Sequence, residues 1–174
     1  MRGRRNDPPP ATVAAASRPP VDGELFRDAL ALFPAGVTVV SAATPTGPYG
    51  TTVTAFSALS LDPPMVLAAF GRVSRVLSFI RDRGRFGVSF LDAAQIDVAR
   101  RLAAAGDKRC DDCEWESLDD VPTVAGARVR LVADVCDVME GGDHLVIHGR
   151  VTGGRLSGEG RPLVYYDRSF LTAA

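Results

Sequence analysis

Apolar positions along the chain repeat with two periods. Leu25, Phe26, Ala29, Leu30 and Phe33 recur at helical spacing, which predicts an amphipathic helix opening at Asp22, a residue type suited to capping it. Pro34 and Gly36 end that helix. A β-branched run over 37–43 predicts a strand. Thr44-Pro45-Thr46-Gly47-Pro48 then supplies turn chemistry, so that 50–61 returns as a hairpin partner. Further strands are predicted over 65–70, 85–91, 128–139, 143–152 and 162–166. A short helix near 74–82 opens at Ser74. Another opens at Asp92, with Gln95 at the capping-box spacing, and carries Ile96, Ala99, Leu102 and Ala103 on one face before Gly106 stops it.

Residues 107–120, which include Trp115, read as a polar loop. Residues 1–21, rich in Pro, Ala and Arg, read as a disordered tail, leaving 22–174 as one domain. Strands joined by short turns, with no regular β-α alternation, exclude a doubly wound sheet. They predict a mainly β fold: a closed or partly closed antiparallel barrel with a few peripheral helices.

The segment 50–61 departs from an ordinary core strand. Alternation puts Thr52, Thr54, Phe56, Ala58 and Ser60 on one face and Val53, Leu59 and Leu61 on the other, which looks into the core. Hydroxyls grouped around one aromatic can bed a flat, hydrogen-bonding ring. The same pattern also fits a solvent-facing strand, where threonine is common. Ser74, flanked by Arg72 and Arg75, opens a helix whose free N–H groups suit a phosphate, although an ordinary cap with surface arginines has the same spacing. Gly141-Gly142 turns the chain into Asp143-His144. The imidazole at this strand's mouth is a candidate for proton or nicotinamide contact, or for a structural role in the turn. A metal shared by His144 and His148 is disfavoured, because four residues of strand separate them by roughly 13 Å.

Composition narrows the partners. The formal net charge is −1 over 174 residues, with no basic stripe, which argues against a nucleic-acid ligand. All but one of the 20 Lys+Arg residues are arginine. Three cysteines are too few for a disulfide framework and suit a reducing cytoplasm. The Cys110-x-x-Cys113 spacing lacks the second pair of a zinc site and reads as an incidental pair in a surface loop. No apolar run is long enough to span a membrane. There is no Gly-x-Gly-x-x-Gly, Walker or Gly-x-Ser-x-Gly motif, so Rossmann, NTPase and common hydrolase readings lack support.

Taken in order, several segments resemble the flavin reductase family with the FMN-binding split-barrel fold, the small reductase components of two-component monooxygenases. They are Phe26-Arg27-Asp28-Ala29 with Gly36-Val37-Thr38-Val39-Val40; the stretch 50–64 ending in Ser60-Leu61-Asp62-Pro63-Pro64; Ser74-Arg75; Phe86-Gly87-Val88-Ser89-Phe90-Leu91 with Gln95; Gly142-Asp143-His144 with Gly149-Arg150-Val151; and Pro162-Leu163-Val164-Tyr165-Tyr166. The resemblance implies an antiparallel, Greek-key-like split barrel and a cytoplasmic homodimer. It implies FMN or FAD bound near the subunit interface, NADH or NADPH as hydride donor, and a partner monooxygenase that receives the reduced flavin. By the same resemblance Thr51, Thr52, Val53 and Thr54 would bind the cofactor, meeting the isoalloxazine ring partly through backbone groups. Ser60 would lie near the ribityl chain, Ser74 and Arg75 would hold the phosphate, and His144 would be the catalytic residue on the nicotinamide side. No metal is implied. A flavin-binding carrier, sensor or biosynthetic oxidoreductase of the same fold is the alternative.

Overall fold

The computed structural model describes residues 19–104, 112–157 and 160–172. Residues 1–18 of the tail expected over 1–21, and the Gly106 stop, lie outside the described residues. The chain opens with helix α1 (Gly23–Ala31), capped as predicted by Asp22, whose carboxylate accepts the N–H groups of Glu24 at 2.9 Å and Leu25 at 3.1 Å. Its apolar face is not covered: Leu25, Phe26, Leu30 and the following Phe33 are all more than half exposed.

Strands β1 (Ala35–Gly36), β2 (Thr38–Thr44), β3 (Gly47–Val53), β4 (Phe56–Leu61) and β5 (Pro64–Gly71) follow. After them come helix α2 (Arg75–Arg83), β6 (Arg85–Phe90), a single 3-10 turn (Ala93–Gln95) and helix α3 (Ile96–Ala103). The remainder is strand: β7 (Trp115–Leu118), β8 (Val121–Val124), β9 (Val129–Gly141), β10 (His144–Leu156), β11 (Leu163–Tyr166) and β12 (Ser169–Thr172).

Seven strands form one antiparallel sheet in the order β3-β2-β6-β9-β10-β5-β4. Its two edge strands are consecutive in the chain and are joined only by Thr54 and Ala55. The sheet must therefore curl until its ends meet, and it meets without a ladder between them. A tight turn makes the junction: Phe56 N–H donates to the Thr54 carbonyl, and Ala69 N–H on β5 donates to the Ala55 carbonyl, both at 2.9 Å. This is a split barrel, mainly β with peripheral helices, in agreement with the sequence. The single strand expected over 50–61 is a correction: it is two strands on opposite edges, because the chain must turn at 54–55 to close the barrel.

The barrel interior is filled by Val40, Phe70, Phe86, Val88, Ala133, Ile147 and their neighbours. Gly149 lies against the Phe86 ring. A Cβ there would stand 2.4 Å from Phe86 Cζ, so only glycine lets strand and ring approach so closely. Helix α2 buries Val76, Leu77 and Ile80 against this core, each worth about 1.5–3 kcal/mol when fully removed from water. It ends at Gly84, left-handed at φ 69°, whose N–H returns to the Ile80 carbonyl at 2.8 Å.

Ahead of α3 the predicted capping box is present: Asp92 accepts the N–H of Ala94, and Gln95 Oε1 accepts the N–H of Asp92. Ala99 and Leu102 then join Val37, Val39, Leu91, Val124 and Leu163 in a second cluster. The expected polar loop over 107–120 contains β7, which pairs with β8 just beyond it across a turn in which Asp119 and Asp120 both have positive φ. Cys113 is buried in the second cluster and disulfide-bonded, not incidental at a surface; Cys110 lies outside the described residues.

Candidate functional site

One cavity, about 470 Å³ in volume, opens where the barrel closes without a ladder. Three elements build it. The first is the end of β3 with the junction, Thr51 to Ala55. Strand β3 is paired to β2 alone, so alternate N–H and C=O groups on its other side are not used by the sheet. Along the same stretch the Val53 carbonyl accepts the Thr38 hydroxyl at 2.7 Å, and the Thr54 and Ala55 carbonyls accept the N–H groups of Phe56 and Ala69.

The second element is the turn from β5 into α2. Ser74 caps α2 by position, with extended backbone, yet its side chain makes no capping hydrogen bond. The first N–H groups of a helix have no intrahelical partners, and the residues that open α2, Ser74, Arg75 and Val76, line the cavity. The Arg75 guanidinium lies over the Tyr49 ring, 5.4 Å from its centroid, and Tyr49 meets Phe79 edge-on. The stack aims a cation beside the helix's positive end.

The third element is the tip of the β9–β10 hairpin. His144 is the first residue of β10 and pairs with Gly71 on β5, which brings it to the cavity's rim. Its Nδ1 lies 2.7 Å from Asp143 Oδ1. A carboxylate only accepts, so Nδ1–H donates and the tautomer is fixed. The His144 hydrogen bond, then its charge, hold the Asp143 carboxyl below its ordinary value, and Arg72 adds to the effect.

A model of the flavin reductase-like domain matches residues 30–174. The chain belongs to the flavin reductase-like family. It is 37% identical over 159 residues to a flavin reductase (NADH) of Kitasatospora aureofaciens, spanning 86% of this chain and 81% of the relative. It is 36% identical over 147 residues to the reductase component of 4-hydroxyphenylacetate 3-monooxygenase from Thermus thermophilus, spanning 84% and 94%. Among solved structures, the Streptomyces globisporus NADH:FAD oxidoreductase SgcE6, in complex with NAD and FAD fragments, superposes with a TM-score of 0.83 at 28% identity, covering 90% of this chain and 98% of that one.

The fold of this flavin reductase-like chain brings Thr51, Thr52, Val53, Thr54, Ser74, Arg75 and His144 to the one cavity. Ser60 is not among them. It lies beyond the junction on β4, at a register shift opposite Met65, because β4 runs along the other edge of the sheet.

The expected hydroxyl-lined face is also corrected. The Thr52 hydroxyl donates to the Ala99 carbonyl at 2.7 Å and the Thr51 hydroxyl to the Leu102 carbonyl at 3.3 Å, both on α3. These two hydroxyls hold the helix. Phe56 meets Phe90 edge-on inside the barrel mouth and does not line this cavity. Tyr49, Ala69, Phe70 and Val73 complete the wall and were not singled out from sequence. Only Tyr49 carried a signal, an aromatic in a turn-flanked strand that alternation places beside Thr51. Among the described residues no group of three or more His, Cys, Asp and Glu side chains is placed to hold a metal, and no helix is long and apolar enough to cross a membrane.

Proposed function

We propose that this protein is an NAD(P)H-dependent flavin reductase that takes FMN or FAD and delivers the reduced flavin to a partner monooxygenase in the cytoplasm. The observation that carries the reading is the meeting, in one cavity, of a strand edge that carries no second ladder, a helix N-terminus with a basic side chain, and a histidine at the rim. A flavin nucleotide has matching parts: a flat ring with donors and acceptors on its edge, and a phosphate. The cavity's volume lies within the range of small-molecule sites.

The backbone of Thr51–Ala55 would hold the ring's polar edge. The N–H groups opening α2, the Ser74 hydroxyl and Arg75 would hold the phosphate. When bound, flavin supplies the two-electron chemistry, accepting a hydride from the nicotinamide. The chain's part is to hold the two rings in contact and exclude competing orientations. His144, its tautomer fixed by Asp143, stands where the nicotinamide side of the ring would face.

The chain would work as a homodimer. The uncovered apolar face of α1, with Leu25, Phe26, Leu30 and Phe33, supports this. So does the groove it borders, which shares Thr54, Ala55 and Ala69 with the cavity. Leu30→Glu is expected to give a monomer by analytical ultracentrifugation where the parent is a dimer.

The activity test is direct: purified protein, FMN or FAD, and NADH or NADPH followed by absorbance. Turnover that requires added flavin supports the reading. Tightly held flavin with no NAD(P)H oxidation by any of the four combinations would replace it with a carrier or sensor role.

A further inference from the structure

We propose that Arg72 is a positioning residue that ties the phosphate-facing turn to the histidine-bearing turn, so that the two halves of the site are set by one guanidinium. Arg72 does not line the cavity. It lies between Gly71, the last residue of β5, and Ser74, and its side chain reaches across to the β9–β10 tip. Nη2 donates to the Gly142 carbonyl at 2.9 Å and Nε to the same oxygen at 3.3 Å, while Nη1 reaches Glu140 Oε1 at 3.3 Å.

The choice of that carbonyl matters. Gly142 and Asp143 are the two central residues of the hairpin turn, and Gly141 pairs with His144 to close it. Gly142 has φ +66° while Asp143 stays on the ordinary side, the arrangement of a turn with glycine first. The Gly142 carbonyl belongs to the central peptide of this turn, the one plane that the strand ladder does not fix. A planar guanidinium that places two N–H groups on it fixes the plane. The plane sets the direction of Asp143, and Asp143 holds His144 Nδ1. The chain of control thus runs from the turn that opens α2, through Arg72, the Gly142–Asp143 peptide and the Asp143 carboxylate, to the imidazole.

The role given to His144 rests on the reductase reading; the clamp itself does not. The test therefore has two arms. In the first, hydride transfer is followed by stopped flow at saturating NADH and FMN in the parent, Arg72→Ala, His144→Ala and the double variant. Because sub-ångström placement governs reaction in a preorganised site, Arg72→Ala is expected to slow transfer about fivefold to tenfold, with FMN affinity changed less than about twofold. The double variant should be no slower than His144→Ala alone. Arg72→Lys keeps the charge, loses the fork and should behave like Arg72→Ala.

In the second arm, NMR of the flavin-free protein follows its two histidine rings, His144 and His148. Arg72→Ala should move the His144 ring signals and leave those of His148 in place. FMN titration should shift His144 in the parent more than in Arg72→Ala. Multiplying losses in the double variant, full recovery by lysine, or an unmoved His144 signal would each overturn the proposal. A parent that turns over no flavin would overturn the reductase reading instead, and the NMR arm would still judge the clamp.

Discussion

Replacing Ser74 by alanine separates a helix cap from a ligand contact. A serine at this position normally stabilises its helix by accepting an N–H, and its loss costs about 1 kcal/mol. In a chain of this length that would lower Tm by roughly 2–4 °C. Ser74 makes no such bond, and α2 is held instead by Val76, Leu77 and Ile80, all almost fully buried, and by the Gly84 cap. The Tm of the flavin-free Ser74→Ala protein should therefore move by less than about 1 °C.

The loss should appear in binding. A hydroxyl donating to a phosphate oxygen is a hydrogen bond to a charged group, worth about 1.5–3 kcal/mol, so FMN affinity should fall roughly tenfold to a hundredfold. Riboflavin, which lacks the phosphate, is the control, and its affinity should not change. Flavin fluorescence titrations of both ligands, beside thermal melts of the ligand-free proteins, give all four numbers. Equal weakening of FMN and riboflavin would refute the phosphate assignment. A full cap's worth of lost stability with unchanged FMN binding would show that Ser74 only starts the helix.

Three further expectations follow from the same geometry. His144→Ala should slow hydride transfer at least tenfold while changing flavin affinity less than about threefold, since the residue stands at the rim and not on the bed; parallel losses in both would give it a binding role. The Asp143 carboxyl is held below its ordinary value by His144, so its carbon-13 titration midpoint should rise toward that value in His144→Ala. By linkage, the stabilisation from this pair is present above the ordinary carboxylate range and is lost as pH falls through the depressed midpoint; an unchanged midpoint would show that the pair does not form in solution. Gly149→Ala places a carbon against Phe86 and should destabilise the fold by about 1–3 kcal/mol in urea melts through overpacking, whereas the same change at Gly23, where nothing lies within 4 Å, should not.

The strands and helices with strong periodicity were legible from the residues alone, because burial on one face leaves its period in the sequence. The Asp92–Gln95 box and the Asp22 cap were legible for the same kind of local reason. The break at Thr54–Ala55 was not: nothing local distinguishes a strand that continues from one that turns onto the far edge of its own sheet, since that turn answers to barrel closure. Read as one strand, 50–61 put Thr52 and Ser60 on a common face, but the junction separates them. The bonds of the Thr52 and Thr51 hydroxyls to α3 were not legible, because the accepting carbonyls lie 47 and 51 residues away. The β7–β8 hairpin escaped notice because Trp115-Glu116-Ser117-Leu118 is short, charged and paired to its neighbour by an aspartate-rich turn. Ser74 opens α2 and His144 opens β10 where the residues predict those elements to start, since each sits at a cap or beside a glycine turn that marks such a start.

The junction at Thr54–Ala55 also makes closure of this barrel a matter of covalent connection. In the seven-stranded sheet β3 pairs only with β2 and β4 only with β5, and no ladder joins β3 to β4. A circular permutant with its new ends between Thr54 and Ala55 would therefore keep every ladder, yet it would hold the two edges of the sheet apart at the cavity. Such a protein would be folded and open along one seam, and a ligand that bridged the seam would do work that the peptide bond does now.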